Sequence, residues 1–312
     1  MVCKLIKFNV ILLTFVLGAI GHAQQDPQYT QYMYNMSVIN PGYATDDITT
    51  INAGLLYRSQ WLGAIGGPTT GSLFAHGTIT DRLEGGFSIV NDQIGDVVKQ
   101  TSAYIDFAYV LPMGETSKLS FGIKAGATFF STDFNGFVYS DPLPDPAFAE
   151  NISQTFPNIG AGFFYFSDTY YFGISAPNLL ETKHLENDSG IVAQGSENMH
   201  LFFTGGYVFE LSDTIKFKPA FMAKHVAGAP LSLDITSNVL FNEKIELGAA
   251  YRVNDSYSGM ITIIMSPAVH IGYAYDQTTS NLGRFNRGSH EVSLLFNISR
   301  LIKGYDKSPR FF

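Results

Sequence analysis

The sequence predicts an all-β protein, a transmembrane antiparallel β-barrel of about 14 strands preceded by a short aperiodic segment. Three observations carry this prediction. Apolar and polar residues alternate with period two along most of the chain. Thirty glycines, 17 tyrosines and 26 phenylalanines stand beside only 15% charged residues, less charge than a water-soluble chain of this length carries. The links between strands are long and short by turns, in step with strand parity.

The chain divides into residues 1–23, 24–48 and 49–312. Lys4 and Lys7 precede an apolar run from Phe8 to Ile20, and Gly21-His22-Ala23 ends it with small residues, the pattern of a signal peptide cleaved after Ala23. The run is too short for a spanning helix. Cys3 is the chain's one cysteine and leaves with this segment, so no disulfide or thiol chemistry is expected. Loss of Lys4 and Lys7 leaves 17 of the 19 basic residues against 27 acidic ones, a net charge of −10 that disfavours nucleic-acid binding.

Residues 24–48 hold four tyrosines, several amides and two prolines but no period. Such a segment is expected either to fold into the lumen as a plug or to dock a partner, and its aromatic content argues against a disordered leader. As a plug, its amides and tyrosine hydroxyls would pair with Lys216, Asp234, Arg252 and Glu291.

Strands are expected at 49–58, 69–80, 82–91, 100–111, 118–130, 158–166, 169–176, 199–209, 214–225, 231–241, 243–252, 256–265, 267–277 and 290–299. In Thr101 to Leu111 the outward set is Ala103, Ile105, Phe107 and Tyr109, against Ser102, Tyr104 and Asp106; from Leu119 it is Phe121 and Ile123, against Ser120, Gly122 and Lys124. By the same parity Lys216, Lys218, Asp234, Arg252, Asp276 and Glu291 face the lumen. Links after even strands are short, as at Asp168-Thr169, Ser212-Asp213 and Asn242-Glu243. Those at 131–157, 177–198 and 278–289 follow odd strands and are long, which places them outside the cell and the short turns in the periplasm.

Enzyme motifs are not found. His290-Glu291 lacks the second histidine of a zinc-protease helix, and Gly66-Gly67-Pro68 and Gly85-Gly86 lack a phosphate loop's setting. Asp141, Asp145 and Glu150 are interspersed with prolines and read as an extended acidic loop, not a Ca²⁺ site. No metal or cofactor is expected.

The opening of the mature chain carries a resemblance. Asp26-Pro27-Gln28-Tyr29-Thr30-Gln31-Tyr32-Met33-Tyr34-Asn35 leads through Asn40-Pro41-Gly42-Tyr43, and Arg58-Ser59-Gln60-Trp61 follows the first strand. With Gly86 to Gly95, Gly272 to Asp276 and Ser289-His290-Glu291 in order, these blocks resemble the PorP/SprF family of type IX secretion outer-membrane proteins over essentially the whole mature chain. The resemblance implies a non-enzymatic part of a type IX secretion and gliding system, resident in outer-membrane lipid. Its partners would be the secretion machinery and either a secreted surface adhesin or a peptidoglycan-binding periplasmic protein. It also marks Asp26, Pro27, Gln31, Tyr32, Tyr34, Asn40, Pro41, Tyr43, Arg58, Gln60 and Trp61 as partner-binding or plug residues. A diffusive porin or small-molecule transporter is the alternative from a different class, with a barrel-embedded hydrolase behind it.

Overall fold

The computed structural model describes residues 27–45, 47–134, 151–180, 182–183, 196–197 and 199–299. Residues 1–26, which hold the expected signal peptide and Asp26, most of the two longest loops and the tail beyond Ser299 lie outside these residues. The strands are β1 (Thr50–Ser59), β2 (Thr69–Thr80), β3 (Leu83–Ile94), β4 (Val98–Pro112), β5 (Lys118–Thr132), β6 (Ser153–Phe166) and β7 (Tyr170–Ala176). A two-residue pair, β8 (Thr182–Lys183) and β9 (Ser196–Glu197), stands apart in the following loop. Then come β10 (His200–Tyr207), β11 (Phe209–Ser212), β12 (Ile215–Val226), β13 (Ser232–Phe241), β14 (Ile245–Arg252), β15 (Ser256–Ser266), β16 (Val269–Thr278) and β17 (Ser289–Ser299).

Sequential strands pair antiparallel, β1 pairs with β17, and β10 reaches β12, so a 14-strand barrel closes with β11 as its extra piece. Closure gives every barrel strand a neighbour on both sides over most of its length, as strands in lipid require. The strand ends joined by the links 60–68, 133–152, 177–199 and 279–288 all lie at one end, and the turns Asp81-Arg82, Ser167–Thr169 and Asp213-Thr214 at the other.

Two elements depart from their expected bounds. β6 begins at Ser153, not 158, with Pro157 inside it opposite Ala127. Proline has no N–H to give a ladder, so it belongs where one side of a strand has no strand neighbour. β7 supplies that condition, since it reaches no farther than Ala176 opposite Ala161. The strand expected at 199–209 breaks at Val208, whose N–H goes instead to the Thr169 carbonyl. Pro219 lies in β12 just across this break, between Ala220, which pairs with Gly206, and Phe217, which pairs with Phe209.

The outer wall is apolar. Ile105, Phe107, Phe121, Ile123, Ile271 and Val292 are all exposed outward, and large buried side chains lie within. Near the short-turn end Tyr165, Tyr170, Tyr207, Phe209 and Phe217 form a chain of ring contacts. Tyr57, Tyr251, Tyr257 and Tyr273 lie outward toward the other end. Two aromatic girdles flanking an apolar band mark the membrane boundaries. Arginine at Ile105, the middle of β4, is expected to cost about 2–4 kcal/mol of folding free energy in lipid, whereas arginine at Ile298, near the end of β17, costs about 0–1 kcal/mol. Urea titration in bilayers reads both, and equal losses would contradict this placement.

Candidate functional site

The lumen is filled by the chain's own amino-terminal segment. Pro27 and Gln28 lie beside Gln60 and Trp61 at the end with the long links. The backbone then crosses the interior, through short helical turns at Tyr32–Tyr34 and Met36–Ile39, to Thr45 beside Glu84 at the short-turn end. Tyr29, Tyr32, Met33, Met36, Ile39 and Ala44 share one apolar core with inward-facing Leu56, Val110, Phe164, Phe166, Phe202, Met222 and Met260. An ordinary water-filled channel has no such core.

Polar contacts fix the segment at several heights. At the long-link end, the backbone N–H groups of Thr30 and Gln31 donate to the two oxygens of Glu291 at 2.9 and 2.7 Å. Arg58 on β1 bridges Asp276 at 2.6 Å and Glu291 at 3.1 Å. It also donates to the Thr30 hydroxyl, which in turn donates to Asp276. Arg58 and Glu291 are registered partners across the seam that joins the first and last strands, so the segment clasps the closure itself. Ser293 Oγ donates to the Gln31 side chain at 2.8 Å from the same strand.

Midway, the Tyr32 hydroxyl meets Thr236 at 3.2 Å, and the Tyr34 hydroxyl donates to Glu246. Lys124 Nζ donates to the Val38 carbonyl at 2.8 Å and sits 4.5 Å over the Tyr104 ring. Lower still, Glu84 accepts from the Thr45 N–H at 2.9 Å and pairs with His76 at 2.8 Å. His76 is in turn 3.4 Å from Asp106 and packs near the Tyr43 ring.

Between these polar anchors the backbone itself touches the wall. Gly122 and Gly162 are direct partners on β5 and β6 and face inward side by side. A Cβ on Gly122 would overlap the Pro41 main chain, and one on Gly162 would overlap the Asn40 side chain. Gly42 is as close in return, 2.7 Å from the Gly162 carbonyl oxygen to its own would-be Cβ. Asn40 secures the contact by donating to the Phe163 carbonyl at 3.0 Å and accepting from the Gly42 N–H at 2.8 Å. Bare wall is needed wherever another backbone comes this near.

The sequence-predicted residues therefore fall into two groups. Gln31, Tyr32, Tyr34, Asn40, Pro41 and Tyr43 lie in the lumen, while Pro27, Arg58, Gln60, Trp61, Arg252 and Asp276 line one cavity at the long-link end. Of the four wall residues expected to pair with the segment, Glu291 does so. Asp234 and Arg252 pair with each other at 2.6 Å, and half-exposed Lys216 pairs with Glu243 at 3.6 Å near the short turns. Lys218 is buried on the same face of β12. Sequence reasoning gave Lys124 the inward parity but not its role as an anchor, and missed Glu84 and Glu246 as anchors and Gly122 and Gly162 as a seat. The available signal was glycine recurring on the inward face, as in Gly160-Ala161-Gly162.

The sequence profile of a family described as the type IX secretion system membrane protein PorP/SprF matches residues 21–296. A search of curated proteins returned no match. Among solved structures, the chain is similar to the outer membrane protein Omp33 of Acinetobacter baumannii, at 9% identity and a TM-score of 0.45, covering 81% of this chain and 100% of that one. It is similar to a FadL homologue of Pseudomonas aeruginosa at 11% identity and 0.45, covering 94% and 97%. It is likewise similar to the toluene transporter TbuX of Ralstonia pickettii at 9% and 0.49, covering 84% and 93%.

Proposed function

The chain belongs to the PorP/SprF family of type IX secretion outer-membrane proteins, and from that premise we propose that it works by holding partner proteins and not by catalysis or free diffusion. In this reading the barrel is a membrane-fixed platform that assists the secretion or surface attachment of an adhesin. The occupied lumen is the observation that carries it. A segment packed into an apolar core and clasped by Glu291, Glu84, Glu246 and Lys124 occupies the lumen that a diffusive porin keeps open to water.

Co-purification tests the reading. Full-length protein extracted in mild detergent is expected to bring down a component of the secretion machinery. The companion is a large adhesin if this branch is right, and a peptidoglycan-binding periplasmic protein if the platform serves the machinery instead. Removal of residues 27–44 is expected to leave a barrel that inserts, because the backbone ladder of β1 with β17 and the Arg58–Glu291 pair remain, yet one that no longer retains its partner. Wild-type cargo display by that variant would overturn the proposal.

Orientation follows from the same reading, with the long links outward. The lone Cys3 lies in the predicted signal peptide, so single cysteines report cleanly. Cysteine at Ile65, fully exposed in the link after β1, is expected to react with an impermeant maleimide on intact cells. Cysteine at exposed Asp213 is expected to react only after the outer membrane is breached. The reverse pattern would invert the barrel.

A further inference from the structure

Above the amino-terminal segment, at the long-link end, lies a cavity of about 570 Å³, within the range of small-molecule sites. We infer that this vestibule is a carbohydrate site that takes a neutral oligosaccharide against the Trp61 indole. The inference is independent of the secretion role proposed above.

Charge decides the ligand class first. The cavity presents two guanidinium groups, each engaged by two carboxylates, against three carboxylates of its own lining, Asp92, Asp255 and Asp276. Arg58 is held by Asp276 and Glu291, and Arg252 by Asp234 and by Asp255 at 3.2 Å. With Asp234 and Glu291 behind them, the carboxylates outnumber the guanidiniums, so phosphate or another anion would meet net negative charge. The lining offers planar amide and carboxylate groups and hydroxyls, the groups that bracket sugar hydroxyls.

The backbone decides against a peptide held by strand addition, which needs an unpaired strand edge. Every barrel strand lining this cavity has both edges paired, and Pro27, Pro68 and Pro230 in the connecting stretches have no N–H to give.

Trp61 completes the site. Its φ is +52°, a conformation that bulky residues rarely adopt and that persists only where surroundings impose it. Here they do. The Trp61 N–H donates to Ser289 Oγ at 3.2 Å, the Leu62 N–H donates to the Gly288 carbonyl at 2.8 Å, and the Leu62 carbonyl accepts from the Arg287 N–H at 2.7 Å. Two long links are thus stitched together, and they fix half-buried Trp61 in the lining of the cavity. An aromatic face fixed beside amides is the arrangement that stacks a pyranose ring through its C–H face.

The chain has a single tryptophan, so its fluorescence reads this cavity directly. The intact protein, in the sugar-free detergent lauryldimethylamine oxide, is titrated with maltopentaose, laminaripentaose and the O-polysaccharide released by mild acid from the producing strain's lipopolysaccharide. A saturable emission change is expected with at least one of them. A response to the short sugars assigns a diffusible ligand, and a response to the O-polysaccharide alone assigns a surface glycan. Gln60→Ala, in the link and outside every strand, is expected to weaken binding while the gel mobility of the folded barrel stays unchanged. By calorimetry, Trp61→Ala is expected to lose about tenfold or more in affinity and Trp61→Phe to retain most of it. Silence with all three probes, or an equal response to a neutral pentapeptide blocked at both ends, overturns the assignment.

Discussion

Valine in place of Gly122 is expected to unseat the amino-terminal segment while leaving the barrel whole. The new side chain would occupy the space of the Pro41 main chain, and no rotamer relieves an overlap with backbone. Overpacking of this kind costs about 1–3 kcal/mol or more. Valine suits a strand, and the outer face of β5 is unaltered, so the strain falls on the contact with the segment. The expected results are proteolytic clipping within residues 27–45 in folded barrels and a rise in antibiotic uptake by cells. Gly162→Val is expected to act in the same way through Asn40. Gly71→Ala and Gly259→Ala serve as controls, since a Cβ at either meets nothing within 4 Å. Equal behaviour of all four variants would remove the glycine seat from the account.

Loss of Arg58 is expected to give the largest fall in stability. Asp276 and Glu291 are each about 1–3% exposed in their side chains and both lean on this one guanidinium. Removing it leaves two neighbouring buried carboxylates and a cut clasp at the β1–β17 seam, and breaking a buried ion pair from one side costs about 3–5 kcal/mol. Arg58→Ala is therefore expected to shift the urea midpoint strongly. Arg58→Met combined with Asp276→Asn and Glu291→Gln is expected to recover much of the loss, because no buried charge is then stranded. A single-variant loss below about 1 kcal/mol, the size of an exposed pair, would mean that water reaches this cluster.

Strand number and wall polarity were legible because two solvents write them into every strand. Ile105 and Asp106 alternate outward and inward because lipid and lumen differ, and loop length tracks parity because the two ends of the barrel do different work. The start of β6 was not legible. Pro157 reads as a breaker until one knows that β7 stops at Ala176 and leaves that side of β6 without a strand neighbour. The amino-terminal segment was legible as something other than a strand, from its tyrosines and amides without period. Its partners were not, because they depend on which wall residues meet a backbone with no repeat of its own. Thr30 and Gln31 bind Glu291 through main-chain N–H groups, which any residue but proline supplies, so side-chain chemistry carried no signal. The glycine seat was hidden for a similar reason. Gly122 has the parity of an inward residue, but a bare position on a wall shows its purpose only once Pro41 is seen against it.

The central claim is that the barrel is closed by its own amino-terminal segment, and planar-bilayer recording tests it most directly. Wild-type protein is expected to insert without steady conductance, and the variant lacking residues 27–44 to insert and conduct through the emptied lumen. Steady porin-like currents from the wild-type protein, unchanged by the deletion, would contradict the account.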